Sequence, residues 1–215
     1  MIEPLHPTLN VVGISKRFGL RTIFSAITLQ LGAGDRLAVT GNNGSGKSTL
    51  VKVLANVAER TEGRVEWSLQ GTPLPDEQLP QHLGFVAPYL QLYTEFTAWE
   101  HLEMVQKLRG LPMNGAWGKE LFQRFGLLGR EHELLRTFSS GMLQRVKFIC
   151  ALIHAPAFLI LDEPTTNLDE RGIQTMRQVV AEGAPRRITI IATNDPDDLT
   201  MCSLRLEIGG AIENG

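Results

Sequence analysis

The chain has few cysteines, and neither of them lies in a pattern that binds metal. Its 215 residues include only Cys150 and Cys202, each without a second cysteine three positions away. Disulfide-rich secreted scaffolds carry many cysteines, and structural zinc sites of the common types use closely spaced pairs. Both classes are therefore excluded, and we expect reduced structural thiols in a cytosolic protein.

Long apolar runs and an excess of basic residues are also lacking. No stretch approaches the ~20 apolar residues that a membrane span requires, so a partner would have to supply any spans. The first ten residues include Glu3 and two prolines, without the basic start and apolar core of a signal peptide. The formal net charge of −2 gives no overall electrostatic reason to expect nucleic acid as a partner.

The clearest motif is a glycine-rich loop between a predicted strand and a predicted helix. It fits the phosphate-binding pattern G-x-x-x-x-G-K-[ST], or Walker A, at residues 41–49, called here the P-loop. Glycines let backbone N–H groups surround an anion, and the following helix adds its positive dipole end. The predicted nucleotide-binding residues are Gly41, Asn42, Asn43, Gly44, Ser45, Gly46, Lys47, Ser48 and Thr49.

Two of these side chains have specific predicted tasks. Lys47 is expected to reach the β- and γ-phosphates of a nucleotide, and the Ser48 hydroxyl to ligate Mg²⁺. The alternative is a glycine-rich turn without a ligand. The apolar run before the loop and the helical spacing of Leu50, Val53, Leu54 and Val57 after it favour the nucleotide site.

A pair of acids follows a second apolar run. Residues 157–161 are too few for a helix between Pro156 and Pro164, so they predict a buried parallel strand. Asp162 and Glu163 then lie at its carboxyl end, where open α/β sheets bind ligands. Beside a P-loop, Asp162 is expected to hold Mg²⁺ and Glu163 to orient or deprotonate the attacking water. The alternative is a polar strand end without a chemical role.

Hydrophobic periodicity predicts a mixed chain of strands and helices. Further strands are predicted at residues 9–14, 22–31, 37–39, 64–69, 83–87, 187–193 and 204–208. Helices are predicted at residues 98–109, where Thr97 begins a capping box, at 116–125, after 139–141, after 169 and after 194–196. Residues 15–19 are predicted as a turn, and residues 71–80 as a surface loop.

Together these motifs resemble the ATP-binding subunit of an ABC (ATP-binding cassette) transporter, a P-loop NTPase, over essentially the whole chain. Besides the P-loop, the resemblance rests on residues 138–145 (FSSGMLQR), similar to the family's L-S-G-G-Q signature, on residues 158–163 and on residues 167–169. It implies an α/β fold with a RecA-like core and mainly parallel sheet, a small antiparallel β-subdomain and an inserted helical subdomain. The expected ranges within a single domain 1–215 are 8–90 and 155–215 for core and β-subdomain, and 91–154 for the helical subdomain.

The resemblance also implies Mg²⁺-assisted ATP hydrolysis between two cassettes arranged head to tail. Each ATP would lie between one P-loop and the Ser139, Ser140 and Gly141 of the other cassette. Phe18 corresponds to the aromatic residue that stacks on adenine, and Asp169 to the acid of the D-loop, residues 167–169. The expected partners are integral membrane subunits, with the cassettes as a homodimer or heterodimer on the inner face of the membrane, and no nucleic acid.

Two positions depart from the family's pattern. Pro88 stands where the Q-loop glutamine is expected, with Gln91 as a candidate replacement, and Asn194 stands in place of the H-loop histidine. Proline has no side-chain acceptor, and an asparagine amide can donate to phosphate but cannot be cationic or relay a proton. We therefore expect slow hydrolysis, with Lys47, Glu163 and Asn194 as the catalytic residues.

Two other functions explain part of the pattern. A non-transport ABC ATPase of DNA repair, chromosome structure or translation would share the motifs, but the chain has no coiled-coil insertion, second cassette or basic run. A small-molecule or nucleoside kinase would explain a P-loop alone, but not the signature segment or Glu163 directly after Asp162. The length resembles that of compact ABC exporter subunits, including the heme-exporter type.

Overall fold

The computed structural model of the chain describes residues 6–208 and the backbone of a strand at Ile212–Asn214. Residues 1–5, 209–211 and 215, with part of the segment compared with a signal peptide and the end of the predicted core, lie outside the described residues. The strands are β1 (Pro7–Phe18), β2 (Arg21–Gly32), β3 (Arg36–Thr40), β4 (Glu62–Leu69), β5 (Thr72–Pro73), β6 (Leu83–Val86), β7 (Phe158–Asp162), β8 (Ile188–Ala192), β9 (Leu204–Glu207) and β10 (Ile212–Asn214). The helices are α1 (Lys47–Leu54), α2 (Leu79–His82), α3 (Ala98–Leu108), α4 (Gly115–Arg124), α5 (Ser140–Leu152), α6 (Glu170–Gly183) and α7 (Pro196–Leu199), with 3₁₀ turns at Leu135–Thr137 and Ala184–Arg186.

The strands form one parallel and one antiparallel sheet. The antiparallel sheet has the order β2-β1-β4-β5, and the other sheet has the order β10-β9-β3-β8-β7-β6. In the second sheet β9, β3, β8, β7 and β6 run parallel, while β10 is antiparallel at the edge. This confirms the predicted α/β fold with a mainly parallel sheet and a small antiparallel one.

The strand β7 is buried on both faces and separates two apolar cores. Phe158 and Ile160 pack into the core that contains β1, β2 and α1, whereas Leu159 and Leu161 pack into the core beneath α3 to α6. This alternation follows from the two-residue period of a strand. Each of these side chains is fully buried and contributes about 1.5–3 kcal/mol. The carboxyl end of β7, where Asp162 lies, is therefore anchored from both sides.

Several predicted boundaries were wrong. Residues 15–18 are part of β1, not a turn, because Phe18 pairs with Arg21 and the chain reverses between them. Val57 was expected on the same helical face as Leu50, Val53 and Leu54, but α1 ends at Leu54 and Val57 is 60% exposed. Asn56 adopts a left-handed φ of 56° just beyond that helix and turns the chain away. The predicted loop 71–80 contains β5 and the start of α2, and β10 was not predicted.

The helices were predicted more closely than the strand ends. Thr97 accepts a hydrogen bond from the Glu100 amide at 3.2 Å, and Glu100 accepts one from the Thr97 amide at 2.9 Å, which confirms the capping box of α3. The helices α3, α4 and α5, with their caps, all fall within residues 91–154. Over the part of the chain that the structure describes, no helix is both long and apolar enough to cross a bilayer.

Candidate active site

The P-loop joins β3 to α1 in a conformation that depends on glycine. Gly41 and Gly46 have φ of 139° and 109°, in the region that side chains disfavour. A Cβ on Gly46 would lie 2.5 Å from Ile23 Cγ2 on β2, so the loop packs closely against the antiparallel sheet. Because Gly46 is also the N-cap of α1 and carries no capping side chain, the first amides of that helix are open to an anion.

Lys47 and Glu163 meet at this loop. Lys47 is buried, and its Nζ donates to the Gly41 carbonyl at 2.9 Å. The same Nζ lies 3.9 Å from Glu163 Oε1. Two of the three predicted catalytic residues are therefore neighbours, with the cation beside the helix N-terminus and the carboxylate at the end of β7.

Ser48 and Asp162, the predicted magnesium ligands, are also in contact. Ser48 Oγ donates to Asp162 Oδ1 at 3.0 Å, and Asp162 is only 1% exposed. Burial raises the pKa of the Asp162 carboxyl, although the Ser48 hydrogen bond opposes the shift. Among the described residues, Asp162 Oδ2 is buried without a hydrogen-bond partner. A buried carboxylate oxygen without a partner, next to a hydroxyl, fits a hard divalent cation.

A cation at this position would need ligands from outside the protein. Within residues 6–208, no cluster of three or more His, Cys, Asp or Glu side chains is arranged to hold a metal ion. Mg²⁺ commonly binds through one or two protein groups together with phosphate oxygens and water. The pair Ser48 and Asp162 therefore suits Mg²⁺ that arrives with a nucleotide.

Glu163 is held in an unusual backbone conformation. Its φ is 44°, in the left-handed region, which costs on the order of 1 kcal/mol for a residue other than glycine. The Glu163 amide donates to the Ala192 carbonyl of β8 at 2.8 Å, which holds the residue there. Burial raises the pKa of the Glu163 carboxyl, against the effect of the Lys47 charge. A more basic carboxylate is better suited to accept a proton from water.

Asn194, the third predicted catalytic residue, contacts the P-loop. It follows β8, and its Nδ2 donates to Asn43 Oδ1 at 3.4 Å. A network that the sequence did not reveal holds this segment. Thr193 Oγ1 donates to the buried Asp198 at 3.3 Å, and Arg177 of α6 pairs with the same carboxylate at 2.9 Å. Because Arg177 reaches this carboxylate from a different helix, no local pattern could have identified it.

The signature residues lie apart from the P-loop of the same chain. Ser139 is the N-cap of α5, and its Oγ accepts from the Met142 amide at 3.3 Å. Ser139 and Ser140 are exposed, and across the described residues no hydrogen bond or ion pair joins residues 139–141 to the P-loop. Gly141 instead approaches the D-loop, where a Cβ would lie 2.8 Å from the Asn167 carbonyl oxygen.

The remaining predicted site residues are at the surface. Asp169 caps α6 and pairs with Arg145 of α5, and its side chain is 64% exposed. Phe18 is 58% exposed at the end of β1, with Lys16 Nζ 4.8 Å from its ring centroid. Gln91 is exposed as well. In the same loop, burial and the nearby Asp162 charge raise the pKa of the Tyr89 hydroxyl, and no motif indicated this residue.

A model of the ABC transporter family matches residues 24–166, more than half of the chain. The chain belongs to this family. A cytochrome c biogenesis ATP-binding export protein CcmA from Haemophilus influenzae is 30% identical over 86% of this chain and 88% of its own length. Another CcmA, from Idiomarina loihiensis, is 32% identical over 96% and 95%, respectively. The daunorubicin resistance ATP-binding protein DrrA3 of Streptomyces coeruleorubidus is 30% identical over 96% of this chain and 67% of its own.

Solved structures agree with the family assignment. A structure of the ATP-binding subunit of an ABC transporter is 25% identical, covers 96% of this chain and 89% of its own, and superposes with a TM-score of 0.84. The post-hydrolysis dimer of the ATP-binding cassette MJ0796, bound to ADP and Pi, is 21% identical with a TM-score of 0.82, and supports the fold. The predicted ABC transport ATPase is thus confirmed, and the nucleoside kinase is excluded.

Proposed function

We propose that this ABC protein powers substrate export across a membrane by binding and hydrolysing Mg·ATP, while separate integral membrane subunits carry the substrate. The observation that carries this proposal is the meeting of four side chains at one sheet edge. Ser48 contacts Asp162 at 3.0 Å, and Lys47 lies 3.9 Å from Glu163. Export is favoured by the names of the relatives, which include cytochrome c biogenesis export proteins and a daunorubicin resistance protein.

In the mechanism, side chains of this protein hold the phosphates, and one of them accepts a proton from water. The P-loop amides and Lys47 bind the β- and γ-phosphates, and Ser48 and Asp162 would hold Mg²⁺. When bound, that ion neutralises charge on the phosphate oxygens. Glu163 orients a water molecule and accepts its proton, while the Asn194 amide donates a neutral hydrogen bond towards the γ-phosphate.

A complete site in this proposal contains two copies of the cassette or two related cassettes. The exposed N-terminus of α5 at Ser139 presents amides and a positive dipole end, which suit a γ-phosphate. Within one chain, no hydrogen bond or ion pair among the described residues joins this helix end to the P-loop, so in this proposal a second cassette supplies the phosphate. Asp169, exposed next to α5, would lie at the same interface. The cassettes would be peripheral on the inner face of the membrane, attached through the membrane subunits.

Substitution of Lys47 tests whether the P-loop binds ATP. We expect Lys47→Ala to weaken ATP binding about 100-fold or more, because it removes the buried cation that contacts the phosphates. Lys119→Ala, at an exposed position on α4, is the control and should bind as the wild type does. A fluorescence titration with ATP measures both, and an unchanged affinity in Lys47→Ala would exclude the P-loop as the nucleotide site.

Isolation of the protein from its native cells tests the transport role. A multi-span membrane protein should copurify with the chain in mild detergent and stimulate its ATPase activity. Stimulation by nucleic acid without such a partner would support the repair or translation type instead.

A further inference from the structure

Tyr89 reaches the magnesium side of the site from a neighbouring strand. It follows β6, whose last residue, Val86, pairs with Leu161 directly before Asp162. The loop after β6 therefore begins at the same sheet edge as the acidic pair. Tyr89 lies on the same side of the site as Asp162, because its ring packs on Lys52 of α1, one turn after Ser48, which contacts Asp162. Burial and the nearby Asp162 charge raise the pKa of the Tyr89 hydroxyl, in keeping with this placement.

The ring and backbone of Tyr89 are fixed by two lysines. Lys52 Nζ lies 3.8 Å from the centre of the Tyr89 ring, within the range of a cation–π contact. Lys52 is four residues after Ser48 on α1, so the helix presents both side chains on one face. From α5, Lys147 Nζ donates to the Pro88 carbonyl at 3.0 Å and holds the loop backbone.

The hydroxyl has the chemistry of a donor to Asp162. A phenol hydroxyl is protonated at physiological pH and can donate one hydrogen bond. Asp162 Oδ1 already accepts from Ser48, whereas Oδ2 has no partner within the described residues. Groups that hydrogen-bond a metal-binding carboxylate fix its orientation and strengthen metal binding.

We propose that Tyr89 is a positioning residue of the magnesium site, whose hydroxyl donates a hydrogen bond to Asp162 when magnesium nucleotide is bound. Pro88 has no polar side-chain group, and Tyr89 in the same loop supplies one to the site. In this proposal Tyr89 takes the role that the sequence suggested for Gln91. The inference rests on the proposed function, because the site concerned is the magnesium site of the ATPase.

The first test compares Tyr89→Phe with Tyr93→Phe. Tyr89→Phe keeps the ring on Lys52 and removes only the hydroxyl. Tyr93 is the other tyrosine of the same loop and is 65% exposed, against 41% for Tyr89. ADP affinity is measured with excess Mg²⁺ and with EDTA. We expect Tyr89→Phe to lower the gain in affinity from Mg²⁺ by about 10-fold, with affinity in EDTA unchanged. Tyr93→Phe should retain the whole gain.

The second test uses ¹⁹F NMR on protein labelled with 3-fluorotyrosine. The chain has two tyrosines, so Tyr93→Phe assigns both resonances. We expect the Tyr89 resonance to shift when Mg²⁺ is added to the ADP complex, and the Tyr93 resonance to stay. An unchanged Mg²⁺ gain in Tyr89→Phe overturns the inference, whether or not the resonance shifts. If Mg²⁺ does not raise the ADP affinity of the wild type, the proposed function is wrong, and so is the inference that rests on it.

Discussion

The Asn194 side chain contacts the P-loop at Asn43, and it provides a neutral donor where the family has histidine. A cationic or proton-shuttling imidazole would make a stronger, charge-assisted bond to the transferring phosphate, worth about 1–2 kcal/mol more. We therefore predict that Asn194→His raises kcat several-fold, up to about 10-fold, with little change in ATP affinity. Steady-state kinetics measure both quantities.

The control for this prediction is Asn194→Ala, which removes the donor and should lower kcat. A kcat in Asn194→His at or below that of the wild type would show that the pocket is already adapted to asparagine. The account of slow hydrolysis would then be wrong.

We expect the folding stability of the protein to depend on pH through His154. Its Nε2 lies 3.2 Å from the Leu83 carbonyl oxygen, and burial, assisted by the charge of Arg109, lowers the pKa of His154 to about 3. Between about pH 6.5 and pH 3 the unfolded chain binds a proton at this position that the folded chain does not, so stability falls as pH falls. From pH 7 to pH 5 the wild type should lose about 1–2 kcal/mol more than His154→Gln.

Urea unfolding at the two pH values measures this difference. His132→Gln, at an exposed histidine, is the control and should follow the wild type. Equal losses in the wild type and His154→Gln would show that His154 takes up its proton in the folded state.

At the residue scale, the sequence predicted contacts within fixed motifs and missed contacts between loops. Ser48 and Asp162 could be predicted because each lies at a set position beside a strand end. Tyr89 could not, because its proximity to Asp162 depends on the pairing of β6 with β7 and on the loop conformation fixed by Lys147.

The helix α5 connects the elements that surround the nucleotide site. Through Gln144 it donates to the Pro164 carbonyl at 3.4 Å, next to the acidic pair, and through Arg145 it pairs with Asp169 of the D-loop. Lys147 of the same helix binds the loop that contains Tyr89. A displacement of α5 would therefore change its contacts with the acidic pair, the D-loop and the loop after β6.

The N-terminus of α5 is tested by Ser139→Arg. We predict at least about a 10-fold loss of ATPase activity, because a bulky cation at the N-cap blocks the approach of a second cassette's phosphate. ATP binding by the monomer should be unchanged, since in the proposed arrangement Ser139 acts across the interface. A titration at low protein concentration measures that binding, and an equal loss of binding would exclude the arrangement in trans.

Element ends were harder to predict than element types. Thr97 and Asp169 cap their helices with side-chain hydrogen bonds. Residues of these types are preferred at helix starts, so a sequence indicates such positions. The end of β1 was missed because residues 15–18 are held by pairing with β2, across shifts in register. Such pairing with the next strand overrides local turn propensity.

At the scale of the whole molecule, the order of strands assembles the site. The strands β3, β8 and β7 are adjacent and parallel, so the P-loop, Asn194 and Glu163 emerge at one edge. The sequence predicted these strands and their polar ends, and the family resemblance implied the sheet. Their lateral order includes the pairing of β3 with β8, which are more than a hundred residues apart, and periodicity does not report such pairing.

The central claim is that two cassettes enclose ATP, and sedimentation of Glu163→Gln tests it most directly. The substitution keeps the shape of the side chain but removes the base, so bound Mg·ATP persists and holds two cassettes together. We predict a monomer without nucleotide and a dimer with saturating Mg·ATP, and a monomer in both conditions for the double variant Glu163→Gln with Ser139→Arg. Glu163→Gln that stays monomeric with ATP bound, or that hydrolyses ATP at the wild-type rate, would contradict the account.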